Sequence, residues 1–500
     1  MEITTTTRDR RWLGLFAVLA AMIMNILDST VVNVAAPSIR ADLGGSYSTL
    51  QWIASAYTLA MAVGLLTGGR LGDMYGRKRL MLGGVAGFVA ASAACSLAWS
   101  PASLVGARVV QGLCGAILIP QGFGLIRDLF GPRDIGKAFG ALGPVIGGAT
   151  IAGPVVAGLL VDADILGTGW RAVFLINLPL GLFVLAAGAV ALPAVQPVRR
   201  LRLDITGALC AGTGMVLLVY PLTQGREKGW PGWLLAMLGG AVVVLVGFVG
   251  QQLRRGRTGR VPLIELSVFT RRSYVSGVLF VIIFFGSIVG FSLTTGFFLQ
   301  LGLGYSPMRA SLTMSGWAVG AFLGSGFAAA MMGRLGRRIL HIGLPLMAAG
   351  TAGFILVLTR DGATLTGWQL SIPLAVYGFG MGMIFVPLFD IIMGEVGDHE
   401  VGSASGVLES LQQLGASLGV AVLGTVFFSS VGTGRLAGAT SAAGGFVSAS
   451  RLVAIISALT ALALCGITFL LPRWARHAMP AGATAQAAPA VAERPELVAV

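Results

Sequence analysis

The chain has 500 residues, 55% of them hydrophobic and only 11% charged, with a mean hydropathy of +0.85. A soluble domain carries about 25% charged residues, so the composition excludes a soluble enzyme. The formal net charge of +14 would suggest nucleic acid in a soluble chain, but here the positions of the charges assign them to membrane topology and no nucleic-acid partner is expected.

About 20 mostly apolar residues are needed for a transmembrane helix. Fourteen such runs lie between charged or Gly/Pro-rich breaks, at 12–35, 49–69, 80–99, 102–126, 138–160, 170–192, 204–222, 230–252, 273–300, 308–332, 339–358, 367–392, 403–430 and 449–471. The first run is too long for a signal-peptide core and contains Asp28 and Asn33, so it reads as a retained span. Most Lys and Arg residues fall in alternate loops, including Arg70, Arg77, Lys78 and Arg79, then Arg127, Arg133 and Lys137, and later Arg334, Arg337 and Arg338. That asymmetry predicts an even number of helices with both termini cytoplasmic, in a multi-pass protein of the cytoplasmic membrane. Cys95, Cys114, Cys210 and Cys465 lie in apolar runs without paired spacing, and neither a disulfide framework nor a metal site is implied.

Between the second and third runs stands Gly69-Arg70-Leu71-Gly72-Asp73-Met74-Tyr75-Gly76-Arg77-Lys78-Arg79. A shortened copy, Gly333-Arg334-Leu335-Gly336-Arg337-Arg338, follows the tenth run. Two versions of one loop imply two related halves. In a plain six-plus-six arrangement the copy would follow the eighth run, so two additional helices must separate the halves. The expected plan is an all-α membrane fold: a six-helix bundle in 1–200, two central helices and a loop in 201–260, a second six-helix bundle in 261–472, and a disordered cytoplasmic tail in 473–500.

The first loop resembles the signature loop of the major facilitator superfamily, G-x-L-x-D-x-x-G-R/K-R/K, matched at Gly69, Leu71, Asp73, Gly76, Arg77 and Lys78. The resemblance implies a cytoplasmic gate, with Asp73 facing the N-terminus of the helix that begins near Ser403 and Arg77 meeting Asp128. Arg108-Val109-Val110-Gln111-Gly112 resembles the superfamily's R-x-x-Q-G motif, whose arginine is thought to influence proton movement beside an acidic residue of the first helix. Gly143-Pro144-Val145-Ile146-Gly147-Gly148 and Gly153-Pro154-Val155-Val156-Ala157-Gly158 both resemble the G-P-x-x-G-G ending of the antiporter motif. The first matches letter for letter, whereas its distance from the sixth run favours the second. Trp170-Arg171-Ala172-Val173-Phe174-Leu175-Ile176-Asn177-Leu178-Pro179 looks like the W-R-x-x-F-x-I-N-x-P signature of the fourteen-helix drug:proton antiporter branch, as does Gln51-Trp52-Ile53 with Tyr57.

Within the spans, ionisable groups are few. Asp28 and Arg108 lie roughly 10 Å and 9 Å from the same membrane surface, counted at 1.5 Å per residue. A lone charge at such depth costs at least about 2.5 to 3.5 kcal/mol, so a pair or a wet cavity is expected. Together with Gln111, Asn33 and Glu409 they are the candidates for proton coupling and for lining a substrate cavity; a static ion pair that only fixes helix packing would leave the same pattern. Asp390 reads as interfacial, and His399 with Glu395, Asp398 and Glu400 as a solvated loop. Phe280, Phe284, Phe285 and Phe291, with Thr294 and Thr295, suit either a cavity wall or ordinary packing.

Neither a nucleophile with a base nor a Walker phosphate loop is present. The chain therefore reads as a transporter, not an enzyme or a primary pump. The resemblance implies proton-driven efflux of amphipathic, drug-like small molecules by alternating access, in a monomer without a cofactor beyond the proton gradient. The alternative is a proton-coupled uptake permease or a dedicated metabolite exporter on the same fold.

Overall fold

The computed structural model describes residues 3–130, 134–164, 167–194, 204–258, 262–264, 266–393, 396, 401–436 and 442–471. In a bilayer every backbone N–H and C=O must find its partner within the segment, so apolar runs of this length fold as helices. They are α1 (Ile3–Leu43), α2 (Tyr47–Tyr75), α3 (Arg77–Ser96), α4 (Pro101–Leu129), α5 (Ile135–Asp162), α6 (Ala172–Leu175), α7 (Asn177–Ala191), α8 (Ile205–Lys228), α9 (Gly232–Arg257), α10 (Arg272–Phe297), α11 (Pro307–Leu335), α12 (Arg338–Asp361), α13 (Gly367–Ile392), α14 (Val401–Leu436) and α15 (Ala442–Thr468). No strand occurs among the described residues.

Thirteen stretches among the described residues are long and apolar enough to cross a membrane, with 169–191 counted as one across α6 and α7. The fourteenth run is α5, whose 28 residues span about 42 Å. The break between α6 and α7 at Ile176 has a local cause: Pro179 has no N–H to give the Leu175 carbonyl. Local chemistry also sets helix starts. Ser100 accepts from the Ser103 N–H with Pro101 at the first helical position of α4, and Ser306 with Pro307 does the same for α11. The first span is longer than predicted at both ends. α1 continues past Ala35 through Pro37 to Leu43, because a proline near the end of a helix removes one hydrogen bond while Ile39 still packs inward at 1% exposure.

α1–α7 pack into one bundle and α10–α15 into another; the two meet along α2 with α14 and along α5 with α11. Each half has its own apolar core, around Met81, Val85 and Phe88 in the first and Phe284, Phe291 and Leu374 in the second. α8 lies over the α2–α14 seam, where Met215 and Val219 pack with Leu59, Ala62, Leu414 and Ala421. It is fastened to both halves. The Glu227 carboxylate accepts from Ser48 N and Oγ at 2.8 and 2.7 Å, and the Leu222 carbonyl accepts from Thr425 Oγ1 at 2.9 Å.

The other end of α8 is held by Asp204, which precedes the helix and caps it by accepting from the Gly207 N–H at 2.8 Å. Gln252 Nε2 donates to the same carboxylate at 2.7 Å and Arg255 pairs with it at 3.0 Å. Gln252 Oε1 in turn accepts the Leu263 N–H at 2.6 Å, so the cluster ties α8 and α9 to the segment before α10. Burial pushes the Asp204 carboxyl up, but hydrogen bonds from Gln252, Gly207, Thr206 and Gln251 outweigh it and hold the group below the usual carboxylate range. The lowered value means that its stabilisation is complete above the ordinary carboxylate pKa and is lost as the pH falls through the folded value. Asp204→Asn is expected to lower stability near neutral pH by about 1 to 3 kcal/mol and to make the melting temperature less sensitive to acid. An unchanged acid profile in that variant would assign the acid sensitivity to other groups.

Candidate functional site

A cavity of about 440 Å³ lies between the two halves. α1 contributes Asn25, Ser29 and Asn33 to it, which at four-residue spacing share one helix face. α14 contributes Glu409, Gln412 and Gln413 by the same logic. Aromatic walls come from Phe285 on α10, Trp317 on α11, Phe385 and Phe389 on α13 and Phe123 on α4. The wall thus combines aromatic faces, amides and hydroxyls with one carboxylate, and neither Lys nor Arg is among its lining residues. Glu409 makes no hydrogen bond or ion pair with the described residues and is half-buried at the cavity wall.

Asp28 and Arg108 do form an ion pair, with Asp28 Oδ2 accepting from Arg108 Nη1. Both are buried, at 0% and 1% exposure, and neither lines the cavity. Gln111, read from sequence as a wall residue, is also sealed inside the first half; it donates from Nε2 to Asp28 Oδ1 at 2.7 Å and to Ser92 Oγ at 2.7 Å. Asp28, Arg108 and Gln111 are therefore corrected as cavity residues, while Asn33 and Glu409 stand at the wall. The reason is angular: residues 28 and 33 are five positions apart, about 140° around a helix, so the depth that matches Asp28 to Arg108 does not fix which face Asp28 occupies. Arg108 further donates to Gln111 Oε1 at 2.7 Å and to the Ile53 carbonyl at 3.3 Å, and its guanidinium carbon stands 4.2 Å from the centre of the Tyr57 ring.

Asn177 completes this network. Its Nδ2 donates to Asp28 Oδ1 at 2.9 Å and to Ser92 Oγ at 3.2 Å. The sequence motif that contains Asn177 therefore has two jobs, because Trp170 Nε1 and Arg171 Nη1 both donate to Asp42 Oδ2, at 2.9 and 2.7 Å, near the C-terminal end of α1. Sequence reasoning did not connect Asn177, Ser92 or Asn25 with Asp28. The available signal was a polar residue inside an otherwise apolar run, the same signal that singled out Gln111.

The two halves close against each other on the face opposite the basic loops. Asp162 Oδ2 accepts the Met308 N–H at 3.1 Å, and Gln300 Nε2 donates to the Val34 carbonyl at 3.0 Å. Tyr47 on α2 stacks on Phe428 of α14 at 4.2 Å. Gly158 makes this closure possible, since a Cβ there would sit 2.8 Å from Met308 Cα and 2.9 Å from the Pro307 carbonyl. Gly153 stands against Thr30 of α1, and Pro154 lines the cavity. Of the two antiporter-like segments, the second thus occupies the junction of α1, α5 and α11. In the first, a Cβ added at Gly148 would meet nothing within 4 Å, and the surroundings of Gly143, Pro144 and Gly147 lie outside the described residues.

At the basic face, Arg77 Nη1 pairs with Asp128 at 3.1 Å, linking α3 to α4 as the signature loop implied. Lys78 Nζ donates to the Ala189 carbonyl at 2.8 Å, and Gly76 joins α2 to α3 at φ 90°, a conformation that favours glycine. A Cβ added at Gly69 would stand 3.9 Å from Pro120 of α4. The carboxylate of Asp73 and the side chain of Ser403, and with them the proposed contact between the two, lie outside the described residues, as do Glu395, Asp398, His399 and Glu400. On α10, Phe285 reaches the cavity, whereas Phe280, Phe284 and Phe291 belong to the core of the second half and Thr294 bonds back to the Gly290 carbonyl.

The profile of the Major Facilitator Superfamily matches residues 18–420. The chain belongs to that superfamily. Within the superfamily it is similar to a probable actinorhodin transporter of Streptomyces coelicolor, 49% identical over 425 residues that cover 85% of this chain and 74% of the relative. A tetracenomycin C resistance and export protein of Streptomyces glaucescens is 35% identical, covering 85% and 77%. A cephamycin export protein of Amycolatopsis lactamdurans is 34% identical, covering 91% of each. Among solved structures, an auto-inhibited peptide transporter has a TM-score of 0.65 at 17% identity, covering 96% of this chain and 98% of that one. A bacterial homologue of the lysosomal transporter Spinster has a TM-score of 0.61 at 17% identity, covering 92% and 96%. These two share the fold. As a superfamily member the chain is a membrane transporter rather than an enzyme.

Two outcomes follow from the site geometry. Arg108→Leu leaves Asp28 buried without its cation and is expected to cost about 3 to 5 kcal/mol, while the double variant Asp28→Asn with Arg108→Gln recovers much of it. Melting curves of the purified proteins check this, and equal losses in the single and double variants would show that the pair is not the reason for the cost. Gly158→Val should prop α5 away from α11 and abolish transport while expression persists; a fully active variant would mean that this closure is not part of the cycle.

Proposed function

We propose that this transporter exports amphipathic, antibiotic-like small molecules across the cytoplasmic membrane in exchange for protons, with the basic face and both termini in the cytoplasm. The observation that carries the reading is the separation of two sites: an aromatic and amide-lined cavity between the halves, and a charge pair sealed within one half. A carboxylate held away from water beside a cation can exchange a proton against the remainder of the cycle, and intramembrane ionisable groups of this kind mark transport pathways. Glu409 supplies a second acidic group, placed where a cationic cargo would meet it. The seal at α5–α11 and the Arg77–Asp128 pair lie at opposite faces, the positions from which two halves could rock alternately about the cavity. Asp73 and Lys78 would belong to the cytoplasmic side of that gate. No cofactor is required beyond the proton gradient, and a monomer embedded in lipid suffices.

The relatives support outward transport, since those named above for tetracenomycin C and cephamycin are export proteins, beside a probable actinorhodin transporter. A dedicated exporter of one metabolite is the second reading, favoured by the 49% identity to the probable actinorhodin transporter. Proteoliposomes test both. With an acidic interior, actinorhodin and ethidium should accumulate and a protonophore should release them. Accumulation of actinorhodin alone would select the dedicated exporter, and flux that ignores the imposed pH difference would contradict proton exchange.

A further inference from the structure

We propose that Tyr57 and Asn25 form the link through which the charge state of the Asp28–Arg108 pair reaches the cavity, with Asn25 as the member that touches cargo. The proposal rests on the proton-exchange reading and identifies how a group that cargo cannot touch would influence cargo.

The link is continuous. The Tyr57 ring lies 4.2 Å from the Arg108 guanidinium carbon, and the Tyr57 O–H donates to Asn25 Oδ1 at 3.1 Å. Asn25 Nδ2 donates to the Gly115 carbonyl at 3.1 Å, and Asn25 lines the cavity while Tyr57, Arg108 and Asp28 do not. Asn25 is 3% exposed at the cavity wall, and each of its polar atoms makes one hydrogen bond there, which leaves a second N–H and a second lone pair as the positions a cargo would engage.

The helix that carries Arg108 is shaped around this link. A Cβ at Gly112 would stand 2.4 Å from the Tyr57 carbonyl oxygen. At Gly115 it would stand 2.8 Å from Asn25 Nδ2 and 3.1 Å from the Tyr57 hydroxyl. Glycines at these two positions leave room for the contact that joins the charge pair to the wall.

Asp28 faces Arg108 from α4, Tyr57 from α2 and Cys95 from α3, with the amide of Asn177 from α7. When Asp28 takes up a proton, Arg108 loses its counter-charge but keeps the Gln111 and Ile53 oxygens and the Tyr57 face as partners. The cation–π contact then carries more of the arginine's stabilisation. The ring and its hydroxyl shift with it, and Asn25 follows. Tyr57 is a positioning residue in this scheme: it changes the presentation of Asn25 and touches no cargo.

The test is the pH profile of binding of actinorhodin to the purified full-length protein, followed by tryptophan quenching at about pH 5.5 and about pH 8. Wild type should bind about 10-fold more weakly in acid, a typical coupling between two sites. Asp28→Asn should abolish that difference, and Tyr57→Phe, which keeps the ring under Arg108 and deletes only the hydroxyl, should reduce it to under about 2-fold. Asn25→Ala should weaken binding at both pH values and flatten the profile. A Tyr57→Phe protein with the full wild-type difference, beside an Asp28→Asn protein that has lost it, would overturn the link alone. Wild type that binds equally at both pH values, or does not bind, would overturn the export reading together with it.

Discussion

The need to satisfy one buried charge pair organises the first half of this protein. Asp28 and Arg108 sit at 0% and 1% exposure in a bundle with an apolar exterior, where each unpaired charge would cost several kcal/mol. Their mutual attraction does not suffice, because a carboxylate has about four acceptor positions and a guanidinium five donors. Gln111 and Asn177 supply donors to the carboxylate, while Gln111 and Ile53 supply acceptors to the arginine. This demand accounts for polar residues on α3, α4 and α7 that would otherwise weaken an apolar core. The same arrangement keeps Asp28 and Arg108 out of the cavity lining, although Asn25, Ser29 and Asn33 of the same helix as Asp28 belong to it.

The contacts between halves are of another kind. They rest on small residues and backbone groups, such as Gly158 against Pro307 and Met308 or Gln300 against the Val34 carbonyl. Such contacts bury few charges and can be exchanged for others at little cost, which suits surfaces that must part and meet again. The additional pair α8 and α9 is attached differently, with Glu227, Asp204 and Gln252 as polar anchors at its two ends. It covers the α2–α14 seam without entering the cavity wall.

Much of this was legible in the sequence. Run length and charge asymmetry set out fourteen crossings, and the displacement of the second loop copy located the extra pair at α8 and α9. Matched depth and the cost of a lone buried charge made a pair of Asp28 with Arg108 one of two expectations, beside a wet cavity. Which face each residue occupies was less accessible: the first span is apolar on all sides, so no amphipathic pattern distinguishes the face with Asn25 and Asn33 from the one with Asp28. Gln111 was accordingly assigned to the cavity, whereas it serves the ion pair. Asn177 was recognised as part of a motif, yet its partner 149 residues away depends on how α7 packs against α1, and no local spacing encodes that.

The central claim is that a proton held at Asp28 and a cargo held in the cavity oppose each other although they do not touch. The most direct measurement is proton release when cargo is added to the purified protein in weakly buffered solution near pH 6, read with a pH indicator. The account predicts release from the wild type and none from Asp28→Asn. Binding without proton release, or equal release from the two proteins, would contradict it.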